Sequence, residues 1–321
     1  MISRLRIAAA LAILATALSS PATAQQIPLT TFVAGQPARV SDVNRNFTNL
    51  KSAIELEQRR NAALVERIRG LEASLSKMIA LNQVVSIETV NGVRTVRFSG
   101  VNLQVVNGTN FTESINGAGN VIIGYDETNL TATQEFCSRA TSSTGFPTET
   151  EAACLAAGGV FAATHKSGSH NLVMGTNNNY SSAAGIVAGR LNSVNEMYAS
   201  VLGGVQNRSS GTTAVIVGGQ ENLTLSRTTA VLGGQANRAT GPLSTVAGGR
   251  SNTASGNAAT VSGGERNTAS GGTASVSGGS VNTASGAFSN VVAGRGNTAA
   301  GIGSSILGGN TITVTAADTA R

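Results

Sequence analysis

The residues of this chain that could do chemistry are few, and their spacing argues against a metal or redox centre. Its two cysteines, Cys137 and Cys154, do not form a Cys-x-x-Cys motif. Its two histidines, His165 and His170, are five residues apart, whereas a helical metal pair has His-x-x-x-His spacing. We therefore expect no metal site, no cofactor and no redox catalysis.

The acidic residues of the C-terminal half do not form a catalytic pair either. Glycosidic cleavage needs two carboxyl groups within about 5–10 Å of each other, and the acids occupy unrelated positions of the repeat described below: Glu196, Glu221, Glu265 and Asp318. Gly117-x-Gly119 lacks the third glycine of a dinucleotide-binding loop. The sequence predicts a protein that is not an enzyme, and a polysaccharide-active β-helix enzyme is the least favoured alternative.

A 15-residue repeat dominates the C-terminal half. A glycine precedes each repeated asparagine by three residues, from Gly189 onward, and a β-branched residue precedes each glycine by three, from Ile186 onward. Such short, fixed self-similarity is typical of a solenoid, in which each turn stacks on copies of itself. The repeated asparagines are Asn192, Asn207, Asn222, Asn237, Asn252, Asn267, Asn282 and Asn297.

The composition of the repeat predicts a mainly β fold with a parallel β-solenoid, or β-roll, and a thin core. So short a turn, rich in Val, Thr, Ala, Ser and Gly, suits two short strands. Alternation places Ala274, Val276 and Gly278 inward on one strand, and Ala254 and its equivalents inward on the other. The glycines permit tight corners with positive φ, and we expect the asparagine side chains to stack amide on amide.

The pattern Asn-Thr-Ala-Ser-Gly-x-x-x-Ser-Val-x-Gly-Gly, clearest at residues 267–279 and 282–294, resembles the head repeats of trimeric autotransporter adhesins. The resemblance covers residues 167–310 and implies a left-handed parallel β-roll with three chains side by side. The chain departs from that family in two ways: the helix precedes the roll, and the second apolar residue of the strand motif is replaced by Gly or Ala. We also expect no membrane-anchor domain after the roll.

The N-terminus predicts export. Arg4 and Arg6 precede an apolar run at residues 7–18 and an Ala-Thr-Ala site at residues 22–24, which is typical of a cleaved signal peptide; an uncleaved anchor is the alternative. Removal of the two arginines lowers the formal charge from +6 to +4, which is too mild to indicate a nucleic-acid partner. We expect an extracellular or cell-surface protein without a transmembrane span, and a periplasmic location is also compatible.

A heptad pattern predicts a coiled-coil helix over residues 43–83, with Ser41-Asp42 as its N-cap. The family resemblance favours a homotrimer, whereas the sequence alone also allows a dimer or a monomer. A lone helix lying on the roll is the alternative. The apolar a and d positions are Phe47, Leu50, Ile54, Leu64, Ile68, Leu71, Leu75 and Met78.

A connector and an insertion separate the helix from the regular repeats. In the connector, Asn91-Gly92 is a strong type I′ hairpin signal, and residues 120–124 and 171–175 read as degenerate first turns. The insertion holds both cysteines, and because exported chains meet oxidising conditions we predict a Cys137–Cys154 disulfide. This irregular loop is the best place for specific recognition, although a loop without a binding role is the plainer interpretation. The predicted organisation is a signal peptide (1–24), an extended segment (25–42), a coiled coil (43–83), a β connector (84–126), the insertion (127–166) and the β-roll (167–321).

The residue that follows each β-branched residue should point outward. A soluble monomer rarely exposes an aligned apolar stripe, so we expect these positions to pack against sister chains around a threefold axis. Packing under the N-terminal connector of the same chain is the alternative. The stripe consists of Val187, Leu202, Val217, Leu232, Val292 and Leu307, and small residues interrupt it.

Together these patterns favour a non-enzymatic fibrous protein in which a trimeric stalk presents a β-roll for adhesion or surface-layer structure. Arginines such as Arg190 and Arg250 allow loose attraction to anionic polysaccharide, host matrix or a cell-surface component, although solubility and edge protection are the plainer interpretation. Ice binding by Thr253-x-Ser255 and its repeats is an alternative, which Leu223 and Leu225 weaken because they interrupt the row.

Overall fold

A computed structural model of the chain describes residues 27–127, 136–138, 151–156, 159–162, 164–318 and 320. They belong to two compact units, Met1–Leu103 and Gln104–Arg321. The predicted signal peptide lies outside the described residues. Within the described ranges, no helix combines the length and the apolar character needed to cross a membrane.

The first unit holds one long helix, α1 (Val40–Val84, 45 residues). It begins three residues before the predicted start. The predicted Ser41-Asp42 N-cap is wrong, because Arg39 occupies the cap position without a side-chain hydrogen bond. Asp42 instead lies in the first turn, where its carboxylate is favourable beside the positive end of the helix dipole.

An extended segment runs back along the start of α1. The side-chain amide of Asn46 makes two hydrogen bonds to the backbone of Thr30. Its Oδ1 accepts the Thr30 N–H at 2.7 Å, and its Nδ2 donates to the Thr30 carbonyl at 2.9 Å. Nδ2 of Asn49 donates to the Pro28 carbonyl at 2.6 Å. These bonds fix the segment over the first heptad of the helix.

A β-hairpin follows the helix directly, as predicted. Strands β1 (Val85–Val90) and β2 (Val93–Phe98) pair antiparallel. Asn91 and Gly92 connect them with φ angles of 51° and 80°, and two consecutive positive φ values are the requirement of a type I′ turn.

The second unit is a β-solenoid with two parallel sheets, in which every described turn but the first contributes one strand to each sheet. Its period and its in-register stacking confirm the predicted solenoid. The first sheet has eleven strands: β3 (Val121–Ile123), β6 (Leu172–Thr176), β8 (Ile186–Arg190), β10 (Ser200–Val201), β12 (Val215–Ile216), β14 (Ala230–Val231), β16 (Thr245–Val246), β18 (Thr260–Val261), β20 (Ser275–Val276), β22 (Asn290–Val291) and β24 (Ser305–Ile306). The second has ten: β7 (Asn179–Tyr180), β9 (Ser193–Val194), β11 (Arg208–Ser209), β13 (Leu223–Thr224), β15 (Arg238–Ala239), β17 (Thr253–Ala254), β19 (Thr268–Ala269), β21 (Thr283–Ala284), β23 (Thr298–Ala299) and β25 (Thr313–Val314).

The degenerate first turns are also present. Strand β3 pairs in parallel with β6, so Val121 lies beside Leu172 and Ile122 beside Val173. The described part of the insertion between them forms β4 (Phe136–Cys137), helix α2 (Glu151–Ala156) and β5 (Phe161–Ala162). Strands β4 and β5 pair antiparallel.

The core is thin, as predicted. A row of valine and isoleucine from the first sheet, such as Val276, meets a row of alanine from the second, such as Ala269, and both are fully buried. The predicted inward position of Gly278 is wrong, since a Cβ atom built there would meet no atom within 4 Å. The alternation stops because β20 ends at Val276 and the chain then turns.

The unbroken glycine row has a steric cause. Gly279 has a φ of +84°, and a Cβ atom there would lie 2.2 Å from the carbonyl oxygen of Gly294 in the next turn and 2.5 Å from Nδ2 of Asn282. Non-bonded atoms do not approach so closely, and L-residues rarely adopt this φ. Only glycine therefore satisfies the corner.

Two other corners of most turns hold non-glycine residues in the left-handed region, for example Val281 (φ 57°) and Phe288 (φ 60°), whereas the equivalent corners one turn later are Gly296 and Gly303. This conformation costs an L-residue roughly 1–2 kcal/mol. It also directs the N–H toward the preceding turn: Val281 donates to the Glu265 carbonyl at 2.9 Å and Phe288 to the Gly272 carbonyl at 2.8 Å. These bonds between turns offset the local strain.

Candidate functional site

The asparagine row forms a buried ladder, but its bonding differs from the predicted amide-on-amide stack. Oδ1 of Asn237 accepts the backbone N–H of Asn252 at 2.9 Å. Nδ2 of Asn252 donates to the carbonyls of Gly248 in its own turn and Gly264 in the next, both at 2.9 Å. Each side chain thus joins backbone groups of neighbouring turns, and both its amide N–H donors and its carbonyl oxygen are engaged in the fold.

The ladder extends beyond the predicted row at its N-terminal end. Asn178 is an earlier rung, since its Oδ1 accepts the N–H of Asn192 at 3.1 Å. Asp126 takes the place of an asparagine before it and accepts the N–H of Asn178 at 2.9 Å. At the other end, the Ile312 N–H donates to Asn297 at 3.0 Å, and isoleucine provides no acceptor for a further rung.

An ion pair between a buried carboxylate and a partly exposed lysine closes the base of the insertion. Oδ2 of Asp126 lies 2.9 Å from Nζ of Lys166, so these two residues connect the ends of the segment predicted as residues 127–166. Asp126 is almost fully buried, and its burial strengthens the attraction because solvent screens the pair less. The negative charge of Asp126 adds to burial in raising the pKa of Tyr180.

The outer face of the first sheet carries most of the predicted apolar stripe. Leu202, Val217, Leu232, Val292 and Leu307 are between 37% and 69% exposed in the single chain. The outward positions of the two rows on this face, from Ser200 to Leu307, include no charged residue. The result is an uncharged face with apolar residues toward both ends and hydroxyls in the middle.

Val187 is the exception, and its predicted place in the stripe is wrong. Its side chain is fully buried, because Val187 pairs with Val201 of the next turn and with Val173 of the preceding turn. Ile186, predicted as the core residue, is only half-buried. The first turns are therefore one residue shorter than the regular repeat, and the extra residue enters between the core valine and the glycine of the turn that contains Val201.

The predicted disulfide between Cys137 and Cys154 is present, with the Cα atoms 5.4 Å apart and both residues fully buried. A Cβ atom at Gly159 would lie 2.6 Å from Sγ of Cys137, so a glycine is needed beside the bridge. The disulfide ties helix α2 to strand β4.

The described part of the insertion packs on the outer face of the second sheet rather than protruding from the solenoid. Nδ2 of Asn195 and Nη2 of Arg208 both donate to the Cys137 carbonyl, at 2.9 and 3.1 Å, and the Ser181 hydroxyl donates to the Ser138 carbonyl at 2.6 Å. Arg208 is only 5% exposed. This arginine therefore stabilises the fold and is not available to attract an anionic ligand.

The remaining arginines of the repeat lie mostly at exposed corners. Nη1 of Arg250 and Nε of Arg266 lie 3.9 and 3.8 Å from Oε1 of Glu265, and such exposed pairs contribute about 0–1 kcal/mol. They form a mixed-charge edge and not a strong basic patch.

Both ring nitrogens of His170 contact backbone groups, so this side chain has a structural role. Its Nε2 accepts the N–H of Asn107 at 3.2 Å, and its Nδ1 lies 2.9 Å from the Thr112 carbonyl. His165 is buried, and its backbone N–H donates to Oδ1 of Asn179 at 2.7 Å. Among the described residues, no three His, Cys, Asp or Glu side chains are grouped to hold a metal ion.

Tyr198 and Glu113 form a surface contact near the start of the solenoid. The Tyr198 hydroxyl donates to Oε1 of Glu113 at 2.6 Å, and this hydrogen bond is the main reason that the pKa of the phenol is raised. A phenol with a raised pKa is a poorer proton donor and nucleophile at neutral pH, so the pair indicates a structural contact.

No protein-family model matches the chain, and no curated protein matches it.

Proposed function

We propose that this chain is a non-enzymatic, exported fibrous protein in which α1 self-associates as a trimeric coiled-coil stalk and the solenoid serves as a head for adhesion or surface-layer structure. The observation that carries the proposal is the unburied heptad seam of α1. None of the 45 residues of this helix is buried in the single chain, and Ile54, Ile68 and Leu71 are more than half exposed.

A helix with such a seam needs a partner. Helical stability in proteins comes chiefly from packing of an apolar face, and a/d apolar residues at heptad spacing pack best against the same seam of another helix. The exposed stripe of the first sheet supports the same conclusion, because apolar rows of this kind are typical of association surfaces. The uncharged character of that face suits close packing of identical chains.

Adhesion is proposed from the architecture of the second unit. A solenoid presents long, regular outer faces, which suit extended ligands better than small molecules. Its mixed-charge edge allows salt-sensitive attraction to anionic polysaccharide, host matrix or a cell-surface component. A glycan and matrix-protein array probed at low and high salt, with the full mature chain, identifies which of these is bound.

The assembly is tested by the sedimentation mass of the mature chain. We expect three times the chain mass. Leu202→Asp with Leu232→Asp should lower the mass or the melting temperature, because the change places unpaired charge in a packed face. Thr268→Asp with Thr283→Asp introduces the same charges on the second sheet and should leave the mass unaltered. A monomeric wild-type protein would contradict the proposal.

A further inference from the structure

The C-terminal part of the second sheet carries an open, regular set of hydroxyl groups on its outer face. In each of the last five turns, the threonine that starts the strand points outward, and in four of these turns the residue two positions later is also Ser or Thr. All are half-exposed or exposed. This hydroxyl array consists of Thr253, Ser255, Thr268, Ser270, Thr283, Ser285, Thr298, Thr313 and Thr315.

Strand pairing fixes the spacing of the array in two directions. Thr253 pairs with Thr268 and Thr283 with Thr298, each in parallel register. Neighbouring strands lie about 4.8 Å apart, and alternate residues of a strand lie about 6.6 Å apart. The hydroxyls therefore form a two-dimensional lattice and not an irregular polar surface.

The hydroxyls of the array are free to bind a ligand. None of them hydrogen-bonds to another side chain or backbone group in the described part of the chain, whereas the hydroxyl of Ser275 on the first sheet donates to Asn290 at 2.8 Å. Threonine has a restricted χ1, so its hydroxyl and methyl are already oriented. Such preorganisation lowers the entropy cost of binding.

The structure also explains the interruption at Leu223. The outward positions of the preceding turns, Ser193, Arg208 and Leu223, are all at least nine-tenths buried, and Arg208 donates to the insertion at Cys137. Ser193, Arg208 and Leu223 are thus removed from the exposed surface, while Arg238, the outward residue directly before Thr253, is half-buried.

We propose that the hydroxyl array binds the surface of crystalline ice. A hydroxyl donates one hydrogen bond and accepts two, so it can take the place of a water molecule at a lattice site. Hexagonal ice has an oxygen repeat close to the spacing of neighbouring strands, and a rigid, flat array meets many such sites at once. The threonine methyls between the hydroxyls order the adjacent water further.

Other ligands match the array less well. In the last five turns the outward columns hold no charged and no aromatic residue, so an ionic polymer finds no counter-charge within the array and a sugar ring has no aromatic surface on which to stack. A second copy of the chain would find less apolar area than on the first sheet. A periodic, uncharged solid made of water fits every property of the array.

The test is the thermal hysteresis and ice-crystal shape of the full mature chain. We expect measurable hysteresis and faceted crystals. Thr268→Lys with Thr283→Lys should abolish both, because the long side chains lift the ice plane from the array. Thr268→Val with Thr283→Val keeps the shape and should reduce the hysteresis at least severalfold. Thr273→Lys with Ala258→Lys alters a corner outside the array and should preserve it, and melting temperatures establish that all variants are folded.

The inference is independent of the oligomeric state, so its failure leaves the proposed assembly untouched. Absence of hysteresis at high protein concentration would overturn it. Equal loss in the corner variant would do the same, as would retention of the chain on crystalline cellulose or chitin with no effect on ice growth.

Discussion

The side-chain oxygen of Asn222 accepts the backbone N–H of Asn237 at 2.9 Å, one turn further along the solenoid. The same contact recurs between Asn237 and Asn252, and between Asn252 and Asn267. The row thus connects each turn to the next through its interior, where water does not compete for the bonds. Its contribution to stability can be measured one rung at a time.

Replacing a central rung should destabilise the solenoid. In Asn237→Ala, the N–H of Asn252 loses its acceptor, and the carbonyls of Gly233 and Gly249 lose a donor at 2.9 Å. Buried groups left without partners should lower the free energy of unfolding by about 3 kcal/mol, measured by urea denaturation. Asn257→Ala is the matched control, because that asparagine is exposed and makes no side-chain hydrogen bond to a described residue; an equal loss there would contradict the ladder's role.

Adjacent glycines should respond very differently to the same substitution. Gly264 has a φ of +85°, and a Cβ atom would lie 2.2 Å from the Gly279 carbonyl oxygen, whereas Gly263 has no atom within 4 Å of that position. Gly264→Ala should cost about 3 kcal/mol or more, and Gly263→Ala less than about 0.5 kcal/mol. Thermal unfolding followed by circular dichroism measures both, and similar melting temperatures would show that the corner is not strained.

Removal of the disulfide should loosen the insertion while the distant turns stay intact. The bridge closes a separation of 17 residues, and its loss should cost roughly 3 kcal/mol on the chain-entropy model. In Cys137→Ser with Cys154→Ser, amide hydrogen exchange should quicken around Asn195 and Arg208 and remain slow at residues 268–297. The wild-type chain, denatured without reductant, should show no free thiol; two labelled cysteines per chain would contradict the bridge.

The helix offers a prediction on the proposed stalk. Ile68→Glu puts a carboxylate into the heptad seam, and an unpaired charge in such an interface should cost about 3 kcal/mol or more. We expect a lower helical content and a smaller sedimentation mass. Ala63→Glu lies outside the seam and should change neither. If both variants keep the wild-type mass, α1 does not hold the chains together.

The period and the glycine row made the solenoid predictable, because a corner that only glycine fits requires a glycine at the same position of every repeat. The shortened first turns were missed because Ile186 and Val187 are both β-branched, which hides a shift of one residue. Asp126 was missed because a carboxylate replaces the repeated asparagine at the point where the insertion begins. The left-handed corners at residues such as Val281 and Phe288 produce no pattern in the sequence, because hydrogen bonds to the preceding turn fix their backbone and residue type does not.

The fixed offset between rungs also governs how the chain tolerates a change in length. Removal of one whole repeat within 208–297 joins equivalent positions of two turns. Every inward-facing side chain then stays inward, and every outward-facing side chain stays outward. A deletion in the same range that is one residue shorter than the repeat turns core valines toward solvent. Unequal recombination between copies of the repeat can therefore shorten or lengthen the solenoid by whole turns. The two residues at the ends of the asparagine ladder, Asp126 and Ile312, occur once each and cannot be multiplied in this way.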